Sequence, residues 1–151
     1  MTSTHAAQTS AASNGSARVL LIADDEPSVL TTLQLVFEEE GYRVTTAASC
    51  AAALKLFRDG YKPDALITDL NMEREDIGLE LAQAALGLTP KPVVVICTGF
   101  AGMKNAEAAL EMKVDYLATK PTDLGELTAA LERLLRRSRN FRRAESGGAE
   151  Q

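Results

Sequence analysis

Val19-Leu20-Leu21-Ile22-Ala23-Asp24-Asp25-Glu26-Pro27 sets the reading of the whole chain. Five consecutive aliphatic residues without polar alternation describe a strand buried on both faces, as in a parallel sheet covered by helices. Three carboxylates follow where that strand ends, and Pro27 suits the first turn of a helix. Val29, Leu30, Leu33, Val36 and Phe37 then recur at helical spacing until Gly41, a helix stop.

The same unit recurs four more times. Arg43–Ala47 reads as a short strand, and Ser49 can cap a helix carrying Ala53, Leu54 and Phe57. Pro63 breaks the chain before a buried strand, Ala65-Leu66-Ile67-Thr68, and Leu79, Leu81, Ala82 and Leu86 mark a third helix. Beyond a break at Thr89–Pro92 come a fourth strand, Val93–Cys97, and a helix, Met103–Met112. Val114–Ala118 is the fifth strand. Asp123-x-x-Glu126 resembles a capping box ahead of the stripe Leu124, Leu127, Leu131, Leu134 and Leu135. Strand and helix alternating five times predict an α/β fold, a parallel sheet with helices on both faces and right-handed crossovers. Periodicity leaves the strand order open.

Composition narrows the function. The 151 residues make one domain, with 46% hydrophobic and 25% charged residues. No run approaches the ~20 apolar residues of a membrane span. His5 is the single histidine and lies in a Ser/Ala/Thr-rich leader, which disfavours His-based catalysis and His-based metal sites. Cys50 and Cys97 form no disulfide framework and no zinc-ligand spacing, so a reducing, cytoplasmic location is expected. Residues 1–17 lack charge and apolar content and are expected to be disordered, as is the tail 142–151; the folded part spans 18–141. The net charge is −5, but residues 132–151 hold 6 Arg against 3 Glu. The acidic body argues against nucleic acid as a partner, and the basic stretch reads as a solvated helix end suited to the helix dipole, the alternative being contact with phosphates or an acidic partner.

In open parallel sheets, sites form beyond the carboxyl ends of the strands. Strand one ends in Asp24-Asp25-Glu26, strand three in Asp69, strand four in Thr98-Gly99 and strand five in Thr119-Lys120-Pro121, while strand two ends in inert Ala47-Ala48. Any one polar end is ordinary, since strand ends reach solvent. Carboxylates, a hydroxyl and an amine converging on one edge are not. Crowded carboxylates raise one another's pKa unless a cation neutralises them, and a hard divalent ion such as Mg2+ suits carboxylate, carbonyl and water ligands. A carboxylate can attack phosphorus, and phosphoryl transfer needs chiefly positioning and neutralised oxygens, which Mg2+, Lys120 and Thr98 can supply.

With those residues in place, the sequence resembles a response-regulator receiver domain of two-component signalling, over about Arg18 to Arg137. The resemblance rests on Val19–Pro27, on Leu66-Ile67-Thr68-Asp69-Leu70-Asn71-Met72, on Thr98-Gly99 and on Lys120-Pro121. It implies a flavodoxin-like, doubly wound (βα)5 fold with a five-stranded parallel sheet in the order 2-1-3-4-5. It implies Asp69 as phospho-acceptor and Mg2+ ligand, Asp25 as a direct Mg2+ ligand, Asp24 orienting the ion largely through water and the Asn71 backbone carbonyl as a further ligand. Thr98 would bond the phosphoryl group, Lys120 would pair with it, and Lys120–Pro121 would be cis.

The family pattern after the acceptor is Asp-x-x-Met-Pro with a short path to Asp-Gly. Here Glu73 stands where the proline would be, and the path through Arg74-Glu75-Asp76-Ile77 to Gly78 is about one residue longer. Leu117 occupies the usual aromatic switch position, and Tyr116 should face the opposite way. Phe100 is expected to shield the acyl phosphate from water. The implied function is a phosphorylation switch rather than an enzyme, with at most slow autophosphatase activity, in a stand-alone receiver or a fragment of a longer regulator. Its donor would be a sensor histidine kinase or histidine phosphotransfer protein. Phosphorylation would alter the surface of the fourth helix, fifth strand and fifth helix for a downstream protein or a second copy of the chain. A phosphorylation-independent scaffold is the alternative; a phosphatase of the haloacid dehalogenase type is disfavoured by the adjacent, rather than Asp-x-Asp, carboxylates.

Overall fold

A computed structural model describes residues 17–99, 103–120 and 122–150, with 103–106 and 139–150 described by their backbone alone. The elements are β1 (Val19–Ala23), α1 (Pro27–Glu39), β2 (Arg43–Ala47), α2 (Cys50–Arg58), β3 (Ala65–Asp69), α3 (Ile77–Leu86), β4 (Val93–Thr98), α4 (Met103–Glu111), β5 (Tyr116–Thr119) and α5 (Leu124–Glu150). All neighbouring strands are parallel, in the order β2-β1-β3-β4-β5.

The alternation of side chains along each strand divides the core. Leu21, Ala23, Leu66, Val94 and Ile96 face Cys50 and Ala53 of α2, Leu81 and Ala85 of α3, and Ala109 of α4. Leu20, Ile22, Ile67, Val95 and Cys97 face Leu33 and Phe37 of α1 and Leu127, Leu131 and Leu135 of α5. Central strands are therefore apolar at consecutive positions, because both faces are covered. Each fully buried large side chain contributes about 1.5–3 kcal/mol.

Two aspartates pin strand starts. Asp64, just before β3, accepts the Val19 N–H at 2.7 Å. Asp115, just before β5, accepts the Val94 N–H at 2.8 Å. Ser49 caps α2 by accepting the Ala52 N–H at 3.0 Å, and Asp123 caps α5 through the Glu126 N–H at 3.0 Å.

Some boundaries move. The fifth strand starts at Tyr116 rather than Val114, because Lys113 takes a left-handed φ of 69° and Val114 still donates to the Ala109 carbonyl in the turn closing α4. The third and fourth strands run one residue further than expected, so Asp69 and Thr98 lie on the sheet. The last helix continues past Phe141 to Glu150, so residues 142–150, expected to form a disordered tail, continue its backbone. Arg142-Arg143-Ala144-Glu145 are good helix formers, whereas Gly147 and Gly148 are not. The expected disordered leader falls, up to residue 16, outside the described residues.

Candidate functional site

Pairing β1 directly with β3 sets Ala23 beside Thr68, so both strands deliver their carboxylates to the same place. Carboxylate oxygens of Asp24, Asp25 and Asp69 lie within 4.8 Å of one another. Asp24 is buried, at 3% exposure. Its Oδ1 accepts the Glu26 N–H at 2.9 Å, which turns the chain into α1. Lys120, arriving from β5, places Nζ 3.4 Å from Asp24 Oδ2 and 3.3 Å from Asp69 Oδ1.

Burial pushes the Asp69 carboxyl above its usual range; Lys120 opposes that shift and Asp24 adds to it. Burial disfavours the Lys120 charge too, but the attraction of Asp69 and then Asp24 outweighs it and raises the ammonium pKa. Two of the three carboxylates share one ammonium. This donor set, all oxygen and one charge short of neutral twice over, fits a hard divalent cation such as Mg2+.

Thr98 lies one residue beyond the partner of Asp69, because Asp69 pairs with Cys97 across β3 and β4. Its hydroxyl is buried and has no hydrogen-bond partner among the described residues, while its carbonyl accepts the Lys120 N–H at 2.8 Å. An unsatisfied buried hydroxyl costs about 1–3 kcal/mol, so Thr98 keeps a hydrogen bond to give. A cavity of about 330 Å³ runs from Asp24, Asp69 and Lys120 between α1 and α5, reaching Thr32, Leu33 and Leu127.

The lengthened loop after Asp69 is held at several points. The Gly78 N–H donates to the Leu70 carbonyl at 2.7 Å. A Cβ at Gly78 would collide with the Asp69 carbonyl oxygen and sit 2.8 Å from Leu70 Cα, so the start of α3 packs on the acceptor's own backbone. Asn71 Oδ1 accepts the Asp76 N–H at 2.7 Å, with Asp76 in the left-handed region at φ 62°. Glu73 accepts the N–H groups of Cys50 at 2.9 Å and Ala51 at 3.1 Å.

Asp24, Asp25, Asp69 and Lys120 thus meet as the sequence suggested, and Thr98 sits beside them. Tyr116 packs on the α1/α5 face and Leu117 on the opposite one, as strand alternation requires. Phe100 and Pro121, with the expected shield and the expected cis bond, lie outside the described residues. Among the described residues the cis peptide is Thr89–Pro90. Sequence reasoning missed two contacts, the Gly78 approach and the Glu73 latch. The one available signal was the departure at Glu73 itself.

The family model of the response regulator receiver domain matches residues 20–132. The chain is 35% identical over 119 residues to the transcriptional regulatory protein GlrR of Escherichia coli, covering 79% of this chain and 26% of that protein. It is 35% identical over 118 residues to the photosynthetic apparatus regulatory protein RegA of Rhodobacter capsulatus, covering 78% and 62%. The chain therefore spans from about a quarter to about three-fifths of these relatives. Among solved structures, a CheY-like response regulator receiver domain protein from Methanospirillum hungatei superposes with a TM-score of 0.78 at 25% identity, over 83% of this chain and 99% of that one. The expectation that nucleic acid plays no part finds no support here, since relatives are named as transcriptional regulators.

Proposed function

Because the chain belongs to the response regulator receiver domain family, we propose that it is a phosphorylation switch whose acceptor is Asp69. The observation that carries this reading is the meeting of three carboxylates within 4.8 Å with Lys120 at 3.3 and 3.4 Å, brought from three strand ends. Membership supports a role in phosphorelay signalling, with the chain as an acceptor of phosphoryl groups.

In the proposed reaction an Asp69 carboxylate oxygen attacks the phosphorus of a phosphohistidine on a sensor kinase or phosphotransfer protein. The P–N bond breaks, the imidazole leaves with a proton from solvent, and an aspartyl phosphate forms. Mg2+ held by Asp25, Asp69 and the Asn71 carbonyl, with Asp24 behind it, would neutralise the phosphoryl oxygens. Lys120 pairs with the new group, and Thr98 supplies the hydrogen bond its unpartnered hydroxyl has to give. Drawing Thr98 toward the phosphoryl group shifts the chain between two arrangements of α4, β5 and α5, and so its affinity for a downstream protein or a second copy. Among the described residues no helix is long and apolar enough to cross a membrane; the proposed setting is cytoplasmic.

The test is phosphoryl uptake from phosphoramidate or acetyl phosphate with Mg2+, read by intact mass. Wild type gains one acid-labile phosphoryl group, and Asp69→Asn or chelation abolishes the gain. No uptake by wild type overturns the switch in favour of a phosphorylation-independent scaffold.

A further inference from the structure

We infer that Glu73 is a positioning residue whose carboxylate, latched across the N-terminus of α2, holds the loop that presents the Asn71 carbonyl. The inference rests on the proposed Mg2+-dependent reading of the site.

The first N–H groups of a helix lack partners within it. At α2 three of them are satisfied from outside: Ala52 by the Ser49 hydroxyl at 3.0 Å, and Cys50 and Ala51 by Glu73. Each Glu73 oxygen takes a different N–H, at 2.9 and 3.1 Å, so the carboxylate is fixed in both position and orientation. An anion here also meets the positive end of the helix dipole. Ser49 belongs to the turn of α2 itself. Glu73 does not: it comes from the loop after the acceptor, 23 positions along the chain from Cys50.

What this contact adds is a tie for the loop. Leu70 is bound to Gly78, Met72 is buried at 8% exposure, and Asn71 closes the segment on itself through Asp76. Asn71 and residues 73–75 are exposed, so packing does not place them. The Glu73 carboxylate joins this exposed stretch to a rigid helix two residues beyond the carbonyl that would ligate the ion. A proline in the same position would restrict the chain by fixing φ. Here a side-chain latch serves instead, across a path one residue longer.

Loss of a group that orients a metal ligand typically costs 10–100-fold in metal affinity. Glu73 acts through two residues of backbone, so the lower end is expected. The experiment is calorimetric titration of MgCl2 into wild type, Glu73→Ala, Glu73→Gln and Ser49→Ala, with urea unfolding of each. Ser49→Ala removes a cap from the same helix end while leaving the loop tied. Glu73→Ala is expected to weaken Mg2+ about tenfold, Glu73→Gln, which keeps one acceptor, to fall between, and Ser49→Ala to bind as wild type despite a similar loss of stability. Phosphoryl uptake by Glu73→Ala should return toward the wild-type rate at saturating Mg2+. Equal Mg2+ affinity in all four proteins, or equal weakening in Glu73→Ala and Ser49→Ala, overturns the inference and leaves Glu73 as a helix cap only. Absence of Mg2+ binding by wild type overturns the proposed function, and this inference with it.

Discussion

Replacing Gly78 by alanine sets two opposing effects against each other. In most helices the change stabilises, because alanine is favoured over glycine by up to about 1 kcal/mol. At this position the new Cβ would run into the Asp69 carbonyl oxygen, with Leu70 Cα at 2.8 Å and the Asp69 carbonyl carbon at 3.0 Å. Every obstructing atom is backbone, so no rotamer change relieves the overlap and α3 must lift from the end of β3. Forced overpacking of this kind costs about 1–3 kcal/mol. Lifting also stretches the 2.7 Å bond from Gly78 N–H to the Leu70 carbonyl, worth about 0.5–1.5 kcal/mol. The balance is a destabilisation of about 2–3 kcal/mol, or a fall in Tm of roughly 10 °C for a domain of this size. Urea unfolding measures it, with Gly87→Ala as the comparison. There the nearest atom is an ordinary 3.5 Å away, and the change should be neutral or slightly stabilising. Because the displaced atom belongs to the acceptor, phosphoryl uptake should also slow, by up to about 10²-fold for a shift near 1 Å. A Gly78→Ala protein as stable as wild type would refute the argument that α3 rests on the Asp69 backbone.

Asp69→Asn should stabilise the metal-free protein at neutral pH. Burial holds the folded Asp69 pKa above its unfolded value. The folded state therefore binds more protons in the window just above the ordinary carboxylate range, and wild-type stability falls as pH rises through it. The gain from Asp69→Asn should fade once pH drops below that range; a gain independent of pH would contradict this. Lys120 has the same sign at the alkaline end: its raised pKa contributes stability that is lost as pH climbs through it. Lys120→Met leaves Asp24 and Asp69 without their shared cation and should slow uptake from phosphoramidate by roughly 10²-fold; an unchanged rate removes Lys120 from the mechanism. Burial pushes the Cys97 thiol up to about 11 and raises Cys50 as well. Both should resist alkylation at neutral pH in the native protein and react when urea unfolds it, whereas fast native labelling of either would contradict their burial.

Much of this was legible in the chain because it is carried by local chemistry. A run such as Val19–Ala23 reads as a strand covered on both sides, and strand–helix alternation repeated five times predicts the parallel α/β class. Asp24, Asp25, Asp69, Thr98 and Lys120 were found because a parallel sheet brings all its carboxyl ends to one edge, whatever the strand order. Resemblance, not periodicity, supplied the order itself. The boundaries that moved did so through contacts that sequence spacing does not encode, as where Asp115 is taken up by the Val94 N–H and the fifth strand starts two residues late.

What the chain determined by itself was therefore the class of fold, the covered faces and the list of polar strand ends. Each follows from side-chain type at short range. What only the tertiary structure decided was which groups touch: Lys120 between Asp24 and Asp69, Gly78 on the backbone of the acceptor, Glu73 across the start of α2. These contacts join residues from 9 to 96 positions apart. Hydrogen bonds and steric contact depend on distances of a few ångströms that exist only once the sheet has assembled.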